Sequence, residues 1–95
     1  MMPYIRQEPR KIVDPFIEEL VKKVNGIMTA SGSYDAGLLN YVITKILVGV
    51  ELDNGVRYAR INEIMGVLEC IKQEFYRRIA FPYEDMKNEE NGDVY

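Results

Sequence analysis

YARINEIMGVLECIKQEFYRRIAFP, residues 58–82, is the stretch on which the fold turns. Ile61, Ile64, Met65, Leu68, Ile71, Phe75 and Ile79 recur at three- and four-residue steps, the spacing of one apolar stripe on an α-helix. Asn62, Glu63, Glu69, Lys72, Gln73, Tyr76 and Arg77 fill the other side. Pro82 is expected to end this helix, because its ring clashes with the preceding turn and it has no N–H to donate. About twenty residues at 1.5 Å each make a rod of about 30 Å, the diameter of a small domain.

Working outward, AGLLNYVITKILVGV (36–50) predicts a second helix. Leu38, Leu39, Val42, Ile43, Ile46, Leu47 and Val50 make it apolar on more than one side, so it must be central or covered by another subunit. Its β-branched residues leave a strand as the alternative. Asp35 is placed to cap it, and Leu52-Asp53-Asn54-Gly55 reads as the following turn. Upstream, Asp14-Pro15 reads as a helix start, an N-cap followed by proline at N1. From there Phe16, Ile17, Leu20, Val21, Val24, Ile27 and Met28 predict a helix over 15–29, ahead of the small polar stretch TASGS (29–33). Pro3, Pro9 and Pro15 predict an extended arm over residues 1–14. After Pro82 the acidic tail 83–95 suits a short fourth helix stopped at Gly92. The expected fold is all-α: a small helical bundle of three main helices, near 15–29, 36–50 and 59–81, plus the short C-terminal one.

Ninety-five residues fit one domain, 1–95. A core at this size is marginal by itself, and self-association is a common remedy. Apolar residues at 47% and charged residues at 28% give a globular profile. Net charge is −3 and the pI about 4.9, which argues against long nucleic acid as a partner, since phosphate neutralisation needs a basic surface. One cysteine, Cys70, allows no internal disulfide and fits a reducing cytoplasm. The N-terminal MMPYIRQEPRK has no apolar signal region, and no apolar run is long enough to span a membrane. Histidine is absent, which removes the usual general base and zinc ligand. Seven tyrosines are many for this length, and tyrosine favours interfaces and ligand faces.

LNYVITKIL, NEIMGVLECIKQEFYRR, PYED and NGDVY, in that order over about residues 38–95, resemble the sequence blocks of a family of small uncharacterised proteins of bacteriophages and bacteria. MPYIRQE and DPFIEEL match more weakly, and TASGSYDAG looks like a variable loop. The resemblance implies an intact small domain of viral or bacterial origin, located in the cytoplasm of a bacterial host. It brings no assigned activity.

Two groups of side chains are candidate ligand-binding residues. Tyr76, Arg77, Arg78, Pro82, Tyr83 and Glu84 cluster at the end of the long helix, with the two arginines and two tyrosines as the ligand-binding candidates. Guanidinium forks grip phosphate or carboxylate, and phenol rings stack on a base. The structural reading of the same arginines is that they offset the helix dipole and pair with Glu74, three and four residues back. Asn40, Tyr41 and Lys45, with Thr44, form a polar strip on the second helix, either a pocket wall or simply its solvent face. No catalytic residue, metal ligand or cofactor site is expected, since no zinc or calcium spacing and no phosphate loop appears.

Three functions are consistent with these residues. The first is a non-enzymatic homo-oligomer binding a small anionic, nucleotide-like ligand. In a phage it would act as a sponge sequestering a nucleotide immune signal. The second is a protein–protein interaction module, an inhibitor or adaptor of a host protein. The third is a metal-dependent nucleotide hydrolase using Glu69 or Glu74, the weakest reading without histidine.

Overall fold

A computed structural model describes residues 2–95, and among them every regular element is helical. The chain divides into two units, residues 4–57 and a second one made of residues 58–95 with Met2 and Pro3.

The first unit holds α1 (Gln7–Ser31) and α2 (Ala36–Asn54). α1 starts eight residues before the expected Asp14-Pro15 boundary, so the extended arm over 1–14 is corrected: residues 7–14 are helical, and Met1 lies outside the described residues. Pro9 falls in the first turn, where an N–H has no intrahelical acceptor anyway. Pro15 sits in the interior and leaves the Lys11 carbonyl without its bond. The apolar spacing continues upstream through Pro9 and Val13, in step with Ile17, Leu20, Val24 and Met28, and it outweighs the proline. At its other end α1 takes in Ala30 and Ser31 of the expected loop, and Gly32, at φ 74°, closes it: its N–H reaches Thr29 O at 3.1 Å, and Ser33 N–H reaches Met28 O at 3.2 Å. Asp35 caps α2 as expected, its Oδ1 accepting from Leu38 N–H at 3.0 Å. α2 runs four residues beyond the expected end, through Asn54, so the turn expected over 52–55 is corrected: Leu52, Asp53 and Asn54 are helical, and Gly55 (φ 80°) stops the helix.

The second unit is α3 (Tyr58–Phe75), a π-helical turn (Tyr76–Ala80) and α4 (Phe81–Asn91), continuous from Tyr58 to Asn91. Pro82 therefore does not end the helix. The π turn passes the chain into the proline by hydrogen-bonding Phe81 N–H to Tyr76 O, five residues back. The short fourth helix is present and stops at Gly92, whose N–H reaches Asn88 O at 2.8 Å.

Burial is sparse. Val24, 8% exposed, is the one buried residue among those described. Ile64, Leu68 and Cys70 on α3 are half-buried, as are Leu38, Leu39, Val42 and Leu47 on α2. The remaining members of the α3 stripe, Ile61, Met65, Ile71, Phe75 and Ile79, are exposed.

Candidate functional site: the π turn and its groove

The π turn coincides with Tyr76, Arg77 and Arg78, and Pro82 gives a physical reason for it. A π turn adds one residue to the helical circuit and shifts the register of everything after it. In a straight α-helix residues eight apart differ by about 80° around the axis; with one residue absorbed they return to nearly the same face. That shift lets the Tyr76 hydroxyl donate to Glu84 Oε1 at 2.6 Å. The hydrogen bond to the Glu84 carboxylate, then its charge, hold the Tyr76 phenol above the usual tyrosine range, with a smaller contribution from desolvation.

Glu74 gathers both arginines. Arg77 Nη2 lies 2.9 Å from its Oε1, and Arg78 Nε lies 4.0 Å from the same oxygen. This is the i,i+3 and i,i+4 pairing of the structural reading. Its helix-dipole part does not apply, because the helix continues past both arginines. The Glu74 side chain is 26% exposed and the arginines 59% and 64%, so acid is sheltered while both guanidiniums reach solvent. Arg78 and Glu74 also border a groove of about 610 Å³ whose other walls are Val67, Ile71, Phe75, Ile79, Met2 and Pro3.

Tyr83 is separate from this arrangement. Lys87 Nζ stands 5.7 Å from its ring centroid and also pairs with Glu90 at 3.1 Å. Tyr83 borders a hollow of about 500 Å³ between α4 and the C-terminal residues. On α2, Asn40, Tyr41, Thr44 and Lys45 line a shallow hollow with Ala36 and Gly37. Thr44 Oγ1 donates to Asn40 Oδ1 at 3.0 Å, and Tyr41 is exposed. That bond along one helix surface is what a solvent face produces.

The structure thus brings Arg77 and Arg78 together through Glu74, joins Tyr76 to Glu84, and leaves Tyr83 with Lys87. Sequence reasoning missed the Tyr76–Glu84 bond and the share of Met2 and Pro3 in the groove. A proline following a strong helical stripe was the available signal for a register shift. Glu69, a candidate metal ligand in the hydrolase reading, accepts from Gln73 Nε2 at 3.2 Å and lies 3.8 Å from Lys72. Among the described residues no group of three or more cysteine or carboxylate side chains is placed to hold a metal, and no helix is long and apolar enough to cross a membrane.

The family described as "Domain of unknown function (DUF6899)" matches residues 2–94. No curated protein and no solved structure matches the chain.

Proposed function

The chain belongs to the DUF6899 family, and from its exposed apolar stripes we propose that it is a non-enzymatic binding protein that works as a homo-oligomer. One observation carries this reading: three helices bear apolar residues at helical spacing, yet only Val24 is buried among the described residues. A buried valine contributes about 1.5–3 kcal/mol. Ordering the backbone costs about 1–2 kcal/mol for every residue. Most of a helix's stability in a protein comes from tertiary packing of its apolar face, so these stripes call for a partner surface.

The ligand this reading assigns is a small anion of nucleotide type, with Arg77 and Arg78 supplying charge and Tyr76 or Tyr83 the stacking face. Asn40, Tyr41 and Lys45 are the second candidate position. Support comes from two guanidiniums that reach solvent beside a π turn, an irregularity common at functional sites. A phage-encoded sponge for a nucleotide immune signal, acting in the cytoplasm of a bacterial host, is the biological form of this proposal. The groove favours a second reading, a protein–protein interaction module, because its walls are apolar apart from Glu74 and Arg78.

A thermal-shift screen with nucleotides and divalent ions separates the two. A nucleotide-dependent shift is expected, and Arg77→Ala or Arg78→Ala should weaken that binding roughly ten- to a hundredfold, the worth of one charge-assisted contact. No shift with any nucleotide, or full affinity in both variants, contradicts the ligand assignment and leaves the interaction module.

A further inference from the structure

We propose that Asn91-Gly92, where α4 ends, is a site of spontaneous modification: Asn91 converts to aspartate and isoaspartate while the rest of the protein stays folded. Three asparagines of the chain are followed by glycine, namely Asn25, Asn54 and Asn91. Glycine carries no Cβ to crowd its own nitrogen, so in all three pairs that nitrogen is open to attack the asparagine side chain. The step balances with water as the one co-reactant. The Gly92 nitrogen gives up its proton and bonds to Asn91 Cγ. The bond from Cγ to Nδ2 breaks, and ammonia leaves with that proton. Water then opens the resulting succinimide ring at one carbonyl or the other, which gives aspartate or isoaspartate.

The fold sets the three pairs apart. Ring closure needs the glycine N–H released from its hydrogen bond and the asparagine ψ turned out of the helical range. Asn25 and Gly26 lie in the interior of α1 beside the buried Val24, both held in the helical ladder. Asn54 ends α2, but its Nδ2 donates to Val50 O at 2.8 Å, which draws the side chain back along the helix and away from Gly55. The turn beyond it is fastened as well, with Arg57 N–H donating to Glu51 Oε1 at 3.2 Å. Asn91 has neither restraint. It is the last residue of α4, a helix whose every residue is exposed, and among the described residues its side chain has no hydrogen-bond partner. Residues 92–95 beyond it are irregular and exposed. The Gly92 N–H bond to Asn88 O, 2.8 Å, is the last of that helix, and a helix end opens far more cheaply than a helix interior.

Conversion is one-way, and it acts on α4. Either product puts a carboxylate at the C-terminal end of the helix, between Glu90 and Asp93, where the helix dipole disfavours negative charge. Isoaspartate also routes the backbone through an added methylene, so Gly92 N–H loses its register with Asn88 O. The last turn of α4 is thereby undone, beside the hollow that Tyr83 and Lys87 border.

The test is peptide mapping by mass spectrometry of the full-length protein held at mildly alkaline pH, once folded and once in urea. In the folded protein Asn91 should convert at least roughly tenfold faster than Asn25 and Asn54, the margin of a frayed end over a closed one. In urea the three should convert at similar rates, since each is an Asn-Gly pair. Gly92→Ala should slow conversion at 91, because the added Cβ crowds the attacking nitrogen. Asn25 or Asn54 matching Asn91 in the folded protein overturns the assignment. So does a ranking that persists unchanged in urea, which neighbouring residues rather than the fold would set, or a rate at 91 that Gly92→Ala leaves unaltered. The converted protein, separated by its added negative charge on an anion exchanger, should show carbon chemical shifts for residues 88–91 moved from helical toward random-coil values. Helical values retained there overturn the loss of the last turn.

Discussion

Tyr76 and Glu84 are the pair whose chemistry is most specific to this fold. The neutral phenol donates and the carboxylate accepts, so ionising the phenol replaces a hydrogen bond with repulsion. The folded-state pKa lies above the unfolded value of about 10. The stabilisation is therefore fully present below pH of about 10 and is lost as pH rises through the higher folded value. In a spectrophotometric titration of the phenolates, Tyr76 should ionise later than an ordinary tyrosine. Glu84→Gln should return it toward the ordinary range, and a profile unchanged by that substitution would contradict the contact. The arginine pairs predict a small effect instead. Exposed pairs are worth about 0–1 kcal/mol, so Arg77→Ala and Arg78→Ala should each lower stability by less than about 1 kcal/mol in urea unfolding. A larger loss would give these arginines a structural role. At this scale the sequence was informative about local geometry: Asp35 caps α2, and Gly55 and Gly92 stop their helices, because caps and positive φ depend on nearest neighbours. The Tyr76–Glu84 contact was not legible, since it needs a register change that periodicity alone does not contain.

Among the elements, α1 offers the sharpest test of where the chain becomes helical. A helix starting at Asp14 would place Pro15 at N1, where proline is favoured, and Pro15→Ala would be neutral or harmful. In α1 as observed, Pro15 lies in the interior, where proline costs up to about 3 kcal/mol relative to alanine. Pro15→Ala should therefore raise the unfolding free energy by about 1–3 kcal/mol in chemical denaturation, with a gain in helical circular dichroism. Gly32 tests the other end of α1. Its φ of 74° strains any side chain although nothing lies within 4 Å of an added Cβ, so Gly32→Ala should cost about 1–2 kcal/mol. All three main helices were legible from their 3.6-residue stripes. Proline positions misled the boundaries at residues 15 and 82, because proline's cost is finite and a long apolar stripe, or a π turn, absorbs it.

For the whole molecule, the apolar pattern and the burial point in one direction. The stripe over residues 61–79 was read from sequence as the face that packs, and most of its members stand exposed. Sequence periodicity tells which face of a helix seeks cover but not what covers it, which is why the candidate ligand site was less legible than the helices. Arg77 and Arg78 were identified with their Glu74 pairing, whereas the groove beside them depends on Met2 and Pro3, distant in the chain. The proposed homo-oligomer is tested most directly by light scattering across a micromolar dilution series, with helical circular dichroism recorded on the same samples. The account predicts a mass of at least twice the 11.0 kDa of one chain, with helix content falling as dilution separates the copies. A particle of 11.0 kDa that keeps its full helix signal at every concentration would contradict it.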